Sequence, residues 1–143
     1  MKVLVLLALG ALVVSCGGDA GPPPIPAEQA CGQITTTACA KIFESSCVDT
    51  ASVLIQTGLK TQADCVNAVT QGYCATAQTV CAAGYTYHGD KAAICKDEIS
   101  KQTCGEFNSK LFAAFLAGGT AESAIASLTV SFPVCAQVCT APM

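Results

Sequence analysis

The chain has 143 residues, a formal net charge of −3 and eleven cysteines, and its charged residues are Lys, Asp and Glu alone, with Arg and Trp both absent. Without guanidinium forks and with an acidic balance, recognition of a phosphate backbone is disfavoured, so no nucleic-acid partner is expected. The scarcity of aromatic residues likewise argues against a carbohydrate platform or a dominant aromatic hot spot.

Residues 1–15 carry one charge, Lys2, ahead of an apolar run from Val3 to Val14. A run of that length suits the core of an export signal and is too short to span a bilayer. It closes on Val13, Val14, Ser15 and Cys16, which resembles the lipobox of bacterial lipoproteins: two apolar residues, a small one and the acceptor cysteine. The resemblance implies that the Cys16 thiol takes a diacylglycerol, that residues 1–15 are a signal peptide cut away before it, and that the new amino terminus is acylated. Two or three acyl chains anchor stably where one would be marginal. The alternative is an ordinary secretory signal cut after Ser15 or Gly18, which would leave the protein secreted.

Residues 16–30 read as the lipidated cysteine followed by a flexible tether, because Gly17, Gly18 and Gly21 mix with Pro22, Pro23, Pro24 and Pro26 and show no apolar periodicity. Part of it should be polyproline II, and at roughly 3.1 Å per residue it would hold a domain up to about 40 Å from the lipid. The residue after the acceptor is Gly17 rather than Asp. In lipoproteins of Gram-negative bacteria the absence of that Asp permits transfer to the outer membrane, so the expected address is the cell envelope, at the outer membrane.

Residues 31–143 are long enough for one small cysteine-rich domain and hold no second long apolar run that could make a transmembrane helix. The expected fold class is all-α, a small disulfide-stapled domain of about five or six helices. Cys39, Ile42, Phe43, Ser46 and Cys47 share one helical stripe, preceded by threonines able to cap. A short apolar segment from Ala51 to Gln56 ends near Gly58, a C-cap candidate. Thr61 with Asp64 resembles a capping box that opens a helix carrying Cys65, Val66, Val69 and Tyr73, with room to run on to Cys81. Asp90 is positioned to cap the next helix, which carries Ile94, Cys95, Ile99 and Cys104. Phe107, Leu111, Phe112, Phe115 and Leu116 form a further apolar face stopped by Gly118 and Gly119, and Thr120 opens a short helix through Leu128. Only Tyr85 to His88 and Thr129 to Phe132 look extended.

With Cys16 lipidated, ten cysteines remain: Cys31, Cys39, Cys47, Cys65, Cys74, Cys81, Cys95, Cys104, Cys135 and Cys139. An even set in an exported chain reads as five disulfides. Cys-x-x-Cys is absent and His88 is the only histidine, so zinc-finger, thioredoxin-type and haem-attachment spacings do not occur. Cys135 and Cys139 have the spacing of copper-delivery proteins but lack the βαβ pattern that carries it there. No cofactor or metal is expected.

Helix geometry restricts the pairings without fixing them. Cys39 and Cys47, eight residues apart, would lie about 12 Å apart on a continuous helix, too far for a bond. Cys65 and Cys74 are nine apart, as are Cys95 and Cys104, and nine residues is two and a half turns, so each pair would face opposite sides of a straight helix. Either such helices are stapled on both flanks or they bend, as Gly72 would allow. Cys135 and Cys139, one turn apart, are expected to tie the C-terminal segment back to earlier helices. Ala63, Cys65, Val69, Thr70 and Cys74 match Ala93, Cys95, Ile99, Ser100 and Cys104 in spacing, a weak sign of a duplicated unit.

Tyr87, Asp90, Ala92, Ala93, Cys95 and Ile99, with Cys104 before Glu106 and Phe107, resemble a pattern in cysteine-rich lipoproteins of delta-proteobacteria such as myxobacteria. The early Cys39, Ile42, Phe43 and Cys47 resemble the same family, whereas the Ala-rich stretch before Cys135 departs from it. The family has no established activity, so the resemblance implies address and disulfide content only.

Candidate catalytic groups are few. His88 lies among Tyr85, Tyr87 and Asp90, which could orient it as a general base, but no nucleophile motif accompanies it and a turn histidine beside Gly89 explains it. Asp97 and Glu98 are adjacent and on a helix point about 100° apart, a poor carboxylate pair. The resulting expectation is a non-enzymatic structural or protein-interaction module, bound to the membrane by its anchor, with an envelope or extracellular protein as partner. The alternative is an envelope redox or metal-binding protein, or a small enzyme, using His88 or Cys135 and Cys139.

Overall fold

A computed structural model describes residues 21–44, 47, 55, 58–75, 81, 83–116 and 131–142. These form helix α1 (Ala27–Ile42), helix α2 (Gln62–Val69) continued by a π turn (Thr70–Cys74), strand β1 (Thr86–Tyr87), helix α3 (Gly89–Lys101), helix α4 (Cys104–Leu116), a 3-10 turn (Cys135–Gln137) and strand β2 (Cys139–Thr140). The domain is small, mostly helical and stapled by five disulfides. Four α-helices among the described residues are fewer than the five or six expected. The remaining expected segments, 51–56 apart from Ile55 and 120–128, lie outside the described residues, as do Cys16 and residues 1–15, the expected signal peptide.

Helix α1 starts at Ala27 behind an extended Pro26, so four residues assigned to the tether by sequence form its first turn. Proline lacks the N–H that a helix start would leave unpaired, and Glu28 in the first turn complements the helix dipole. The buried face is Ala30, Ile34, Thr35, Ala38, Cys39 and Ile42. The threonines expected as caps are interior instead. Thr36 and Thr37 donate their hydroxyls to the carbonyls of Gly32 and Gln33, at 2.8 and 3.0 Å.

Helix α2 opens on the expected capping box: Thr61 Oγ1 accepts from the Asp64 N–H at 3.1 Å, and Asp64 Oδ2 accepts from the Thr61 N–H at 2.9 Å. Just before it, Gly58 has φ of +96°, the left-handed conformation that glycine enters without a Cβ penalty. After Val69 the turn widens, and the Ala75 N–H reaches the Thr70 carbonyl at 2.9 Å, five residues back. An i→i+5 turn rotates less per residue than an α turn, so Cys74 does not arrive on the side opposite Cys65. Both cysteines instead meet α1, in the Cys39–Cys65 and Cys31–Cys74 bonds, with Cα–Cα distances of 5.9 and 5.8 Å. The pairing runs α2 antiparallel to α1.

Helix α3 is preceded by His88, which makes no side-chain cap bond, while the expected cap Asp90 lies inside the first turn. It ends at Lys101, where Gln102 turns extended, so Cys95 and Cys104 do not share a helix. A second capping box starts α4. Glu106 Oε2 accepts from the Thr103 N–H at 3.1 Å and the Thr103 hydroxyl at 2.7 Å, and the Glu106 N–H reaches back to Thr103 Oγ1 at 3.4 Å. The Thr103 hydroxyl bond, followed by the backbone bond, holds the Glu106 carboxyl below its usual range.

Helices α1 and α3 start together, with Ile25 bonded to Gly89, and stay together halfway along, where Lys96 Nζ donates to Gln33 Oε1 at 3.2 Å. They therefore run side by side in the same direction. Ala30, Ala38, Ala92 and Ala93, all 3% exposed or less, line this layer with Ile34, Ile42, Cys95, Ile99, Phe107 and Phe132. Strands β1 and β2 pair antiparallel, Thr86 opposite Thr140 and Tyr87 opposite Cys139. The second extended stretch is thus Cys139–Thr140. Of the expected Thr129 to Phe132, residues 131 and 132 are a turn and a bend, and 129–130 lie outside the described residues. Cys95–Cys135 and Cys81–Cys139 tie the C-terminal segment back to α3 and to the residue at position 81, and Cys47–Cys104 secures the start of α4.

Each native disulfide typically contributes roughly 2–4 kcal/mol, against a usual net stability of about 5–15 kcal/mol. Reduction should therefore abolish most of the far-ultraviolet helical signal, and native helicity persisting in excess dithiothreitol would contradict this. Thr61→Ala should lower stability to urea by about 1 kcal/mol through loss of the cap. Because the Glu106 carboxyl is held low, its contribution is present above its unfolded pKa and lost as pH falls through the folded value. Acid titration of Thr103→Ala should then show a shallower loss of stability than the parent chain.

Candidate functional site

The ten cysteines expected to pair do so with one another, and Cα–Cα separations of 4.9–5.9 Å fit disulfide geometry. Cys135 and Cys139, the copper-type pair considered from spacing, part company: Cys135 joins Cys95 in α3 and Cys139 joins Cys81. Neither sulfur carries the thiolate that a metal ligand or a dithiol redox centre requires. Glu44, Cys47 and Cys104 come within 4.8 Å of one another, the separation of a metal-ligand group. In the oxidised chain, however, two of these three are the halves of one disulfide.

His88 stands between β1 and α3, its N–H bonded to the Val138 carbonyl at 2.9 Å. Its Nε2 lies 2.9 Å from the Thr140 hydroxyl, across the β1–β2 ribbon. That is the separation of a base from a nucleophile, yet the pair is exposed on the ribbon, where water competes for both groups. The contact fastens the C-terminal strand to the start of α3. Tyr87, beside it, donates its hydroxyl to the Ile25 carbonyl at 2.6 Å. Burial, then the negative charges of Glu28 and Asp90, hold the Tyr87 phenol above its usual range, so it remains a donor through neutral pH.

Asp97 turns to Lys101, with Oδ2 2.6 Å from Nζ, an i,i+4 pair on a solvated face rather than half of a carboxylate couple with Glu98. A shallow groove of about 410 Å³ lies over the outer side of α1, lined by Gln29, Gly32, Gln33, Thr36, Thr37 and Lys96. Its polar ends already satisfy one another, Gln33 Nε2 donating to Gln29 Oε1 at 2.9 Å and Lys96 to Gln33.

Sequence reasoning missed the Ile25 seat, where the N-terminal strap meets Tyr87 and Gly89. Its one signal was a single isoleucine among prolines, with no periodicity to mark it. Among the described residues no helix is long and apolar enough to cross a membrane. The chain matches no family model, no curated protein and no solved structure.

Oxidised protein incubated with zinc and desalted should retain no stoichiometric metal. Retention that disappears in Glu44→Ala would mean that Cys47 and Cys104 are free thiolates. His88→Ala, which removes one exposed hydrogen bond, should change urea stability by no more than about 1 kcal/mol.

Proposed function

We propose that the chain is a lipid-anchored, disulfide-stabilised protein of the cell envelope, held through Cys16 and acting as a structural or protein-interaction module rather than a catalyst. The observation that carries this reading is the run Val13, Val14, Ser15, Cys16 at the end of an apolar segment with one preceding charge. Two further observations support it. Setting Cys16 aside leaves an even ten cysteines, and those ten form five bonds, as suits an oxidising compartment. The Gly and Pro content between Cys16 and the first helix suits a spacer between lipid and domain.

Gly17 after the acceptor favours the outer membrane as the address. The partner expected is an envelope or extracellular protein. The likeness to cysteine-rich lipoproteins of delta-proteobacteria agrees with the address and adds no activity.

Mass spectrometry of the mature protein should find its first residue to be Cys16 carrying a diacylglycerol. The protein should partition into a detergent phase, and Cys16→Ala should move it to the aqueous phase. An unmodified mature terminus at Gly17 or beyond would overturn the anchor. Proximity crosslinking on living cells should enrich a specific envelope protein, and recovery of only bulk envelope proteins would count against the interaction role.

A further inference from the structure

The strap leading into α1 is stitched to one corner of the domain. The Ile25 N–H donates to the Gly89 carbonyl at 3.0 Å, and the Tyr87 hydroxyl donates to the Ile25 carbonyl. The Ile25 side chain is 6% exposed. A Cβ at position 89 would stand 2.6 Å from the Ile25 oxygen and 3.4 Å from Pro24 Cβ, so the strap fits only against glycine. Residues 21–24, just ahead of it, are exposed.

Everything else about the fold gives this corner a direction. Helices α1 and α3 both begin here and run away from it in parallel, α1 for about 24 Å. Helix α2 runs back towards it, so its start at Lys60 and Thr61 lies at the far end beside Ile42. Strands β1 and β2 and the His88–Thr140 contact lie at the corner itself. So does Tyr85, 48% exposed and preceded by Gly84 at φ +87°. A tyrosine ring, apolar in body and polar at its tip, suits the headgroup level of a bilayer.

From Cys16 to Pro24 the chain has nine residues and reaches no more than about 30 Å even when fully extended. Turning the domain over, so that its far end met the lipid, would use about 24 Å of that reach, leaving the chain almost taut and at an entropic cost. We propose that the Ile25 seat orients the domain on the membrane, with the corner bearing Tyr85, Thr86, His88 and Thr140 facing the lipid surface. The end around Lys60 and Thr61 then faces outward and is the one available to a partner. This rests on the reading of Cys16 as the lipid anchor.

The absence of Trp makes a single introduced Trp the sole donor of its kind. Full-length lipidated protein is placed on phosphatidylcholine vesicles containing a dansyl-headgroup lipid, with Thr86→Trp or Lys60→Trp as donor. Both positions are exposed. Energy transfer from Thr86→Trp should exceed that from Lys60→Trp by about threefold or more, given a separation set by the length of α1. Adding Ile25→Ser, which empties the seat without a clash, should bring the two towards equality, and Gly89→Ala should do the same. Circular dichroism on each variant shows whether the domain has stayed folded.

Co-sedimentation with the vesicles reads the anchor separately. A parent chain that stays in the supernatant overturns the anchor, and the orientation with it. A chain that co-sediments but gives equal transfer from the two positions, or more from Lys60→Trp, overturns the orientation alone. A ratio that Ile25→Ser leaves unchanged in a folded domain overturns the role of the seat.

Discussion

Two disulfides on one helix pair, Cys39–Cys65 and Cys31–Cys74, set the geometry that the other elements follow. A single bond between helices leaves them free to pivot about it, whereas two bonds fix both direction and axial register. The two sulfurs on α1 are eight residues apart and those on the α2 side are nine, and an uninterrupted α-helix would turn the second of the latter away from α1. The π turn at Thr70–Cys74 resolves this conflict in rotation. Gly72 lies in the middle of it, and the Thr70 hydroxyl donates to the Val66 carbonyl at 2.6 Å, engaging a backbone acceptor where the pitch changes. Covalent register thus prevails over ideal helical winding, as expected where each crosslink is worth several ordinary contacts.

The apolar core explains why crosslinks carry so much weight. Four alanines and several half-cystines occupy sites that a larger domain would give to leucine or phenylalanine. Small side chains let α1 and α3 approach closely, but each buries little area and contributes correspondingly little hydrophobic free energy. Among the described residues Phe107 and Phe132 are the largest fully buried side chains. Lys110 lies over the Phe132 ring at 3.8 Å from its centroid, closing off the face where the C-terminal segment meets α4.

What was legible in the sequence follows from how local each signal is. The Thr61 box is a four-residue pattern with its mechanism inside it, and it was readable. The equivalent Thr103–Glu106 box is masked by a helical periodicity that runs unbroken in the sequence from Cys95 to Cys104. The break at Gln102 lies in the backbone rather than in the apolar pattern. The start of α1 was obscured for a different reason: a Gly and Pro-rich stretch has the composition of a linker, and Ile25 is buried by partners sixty-two and sixty-four positions on, Tyr87 and Gly89. Strand β2 was equally hidden, since two residues are too few to alternate. The sulfur pairings lie beyond local reasoning, because only the fold brings Cys47 to Cys104 or Cys81 to Cys139.

At the corner around Gly89, chain segments from three parts of the sequence converge. The N-terminal strap arrives through Ile25, the middle of the chain through Tyr87 and His88, and the C-terminus through Val138 to Thr140. A convergence held by backbone bonds, the Tyr87 phenol and the His88–Thr140 contact needs the approach distance that only glycine allows at position 89. It also needs the C-terminal segment delivered in fixed register, which Cys95–Cys135 and Cys81–Cys139 ensure from the first residue of the 3-10 turn and from just beyond its end. The same oxidised cysteines that define the helical layer therefore hold the point where the strap enters it, so the packing of the strap and the stability of the domain depend on one covalent framework.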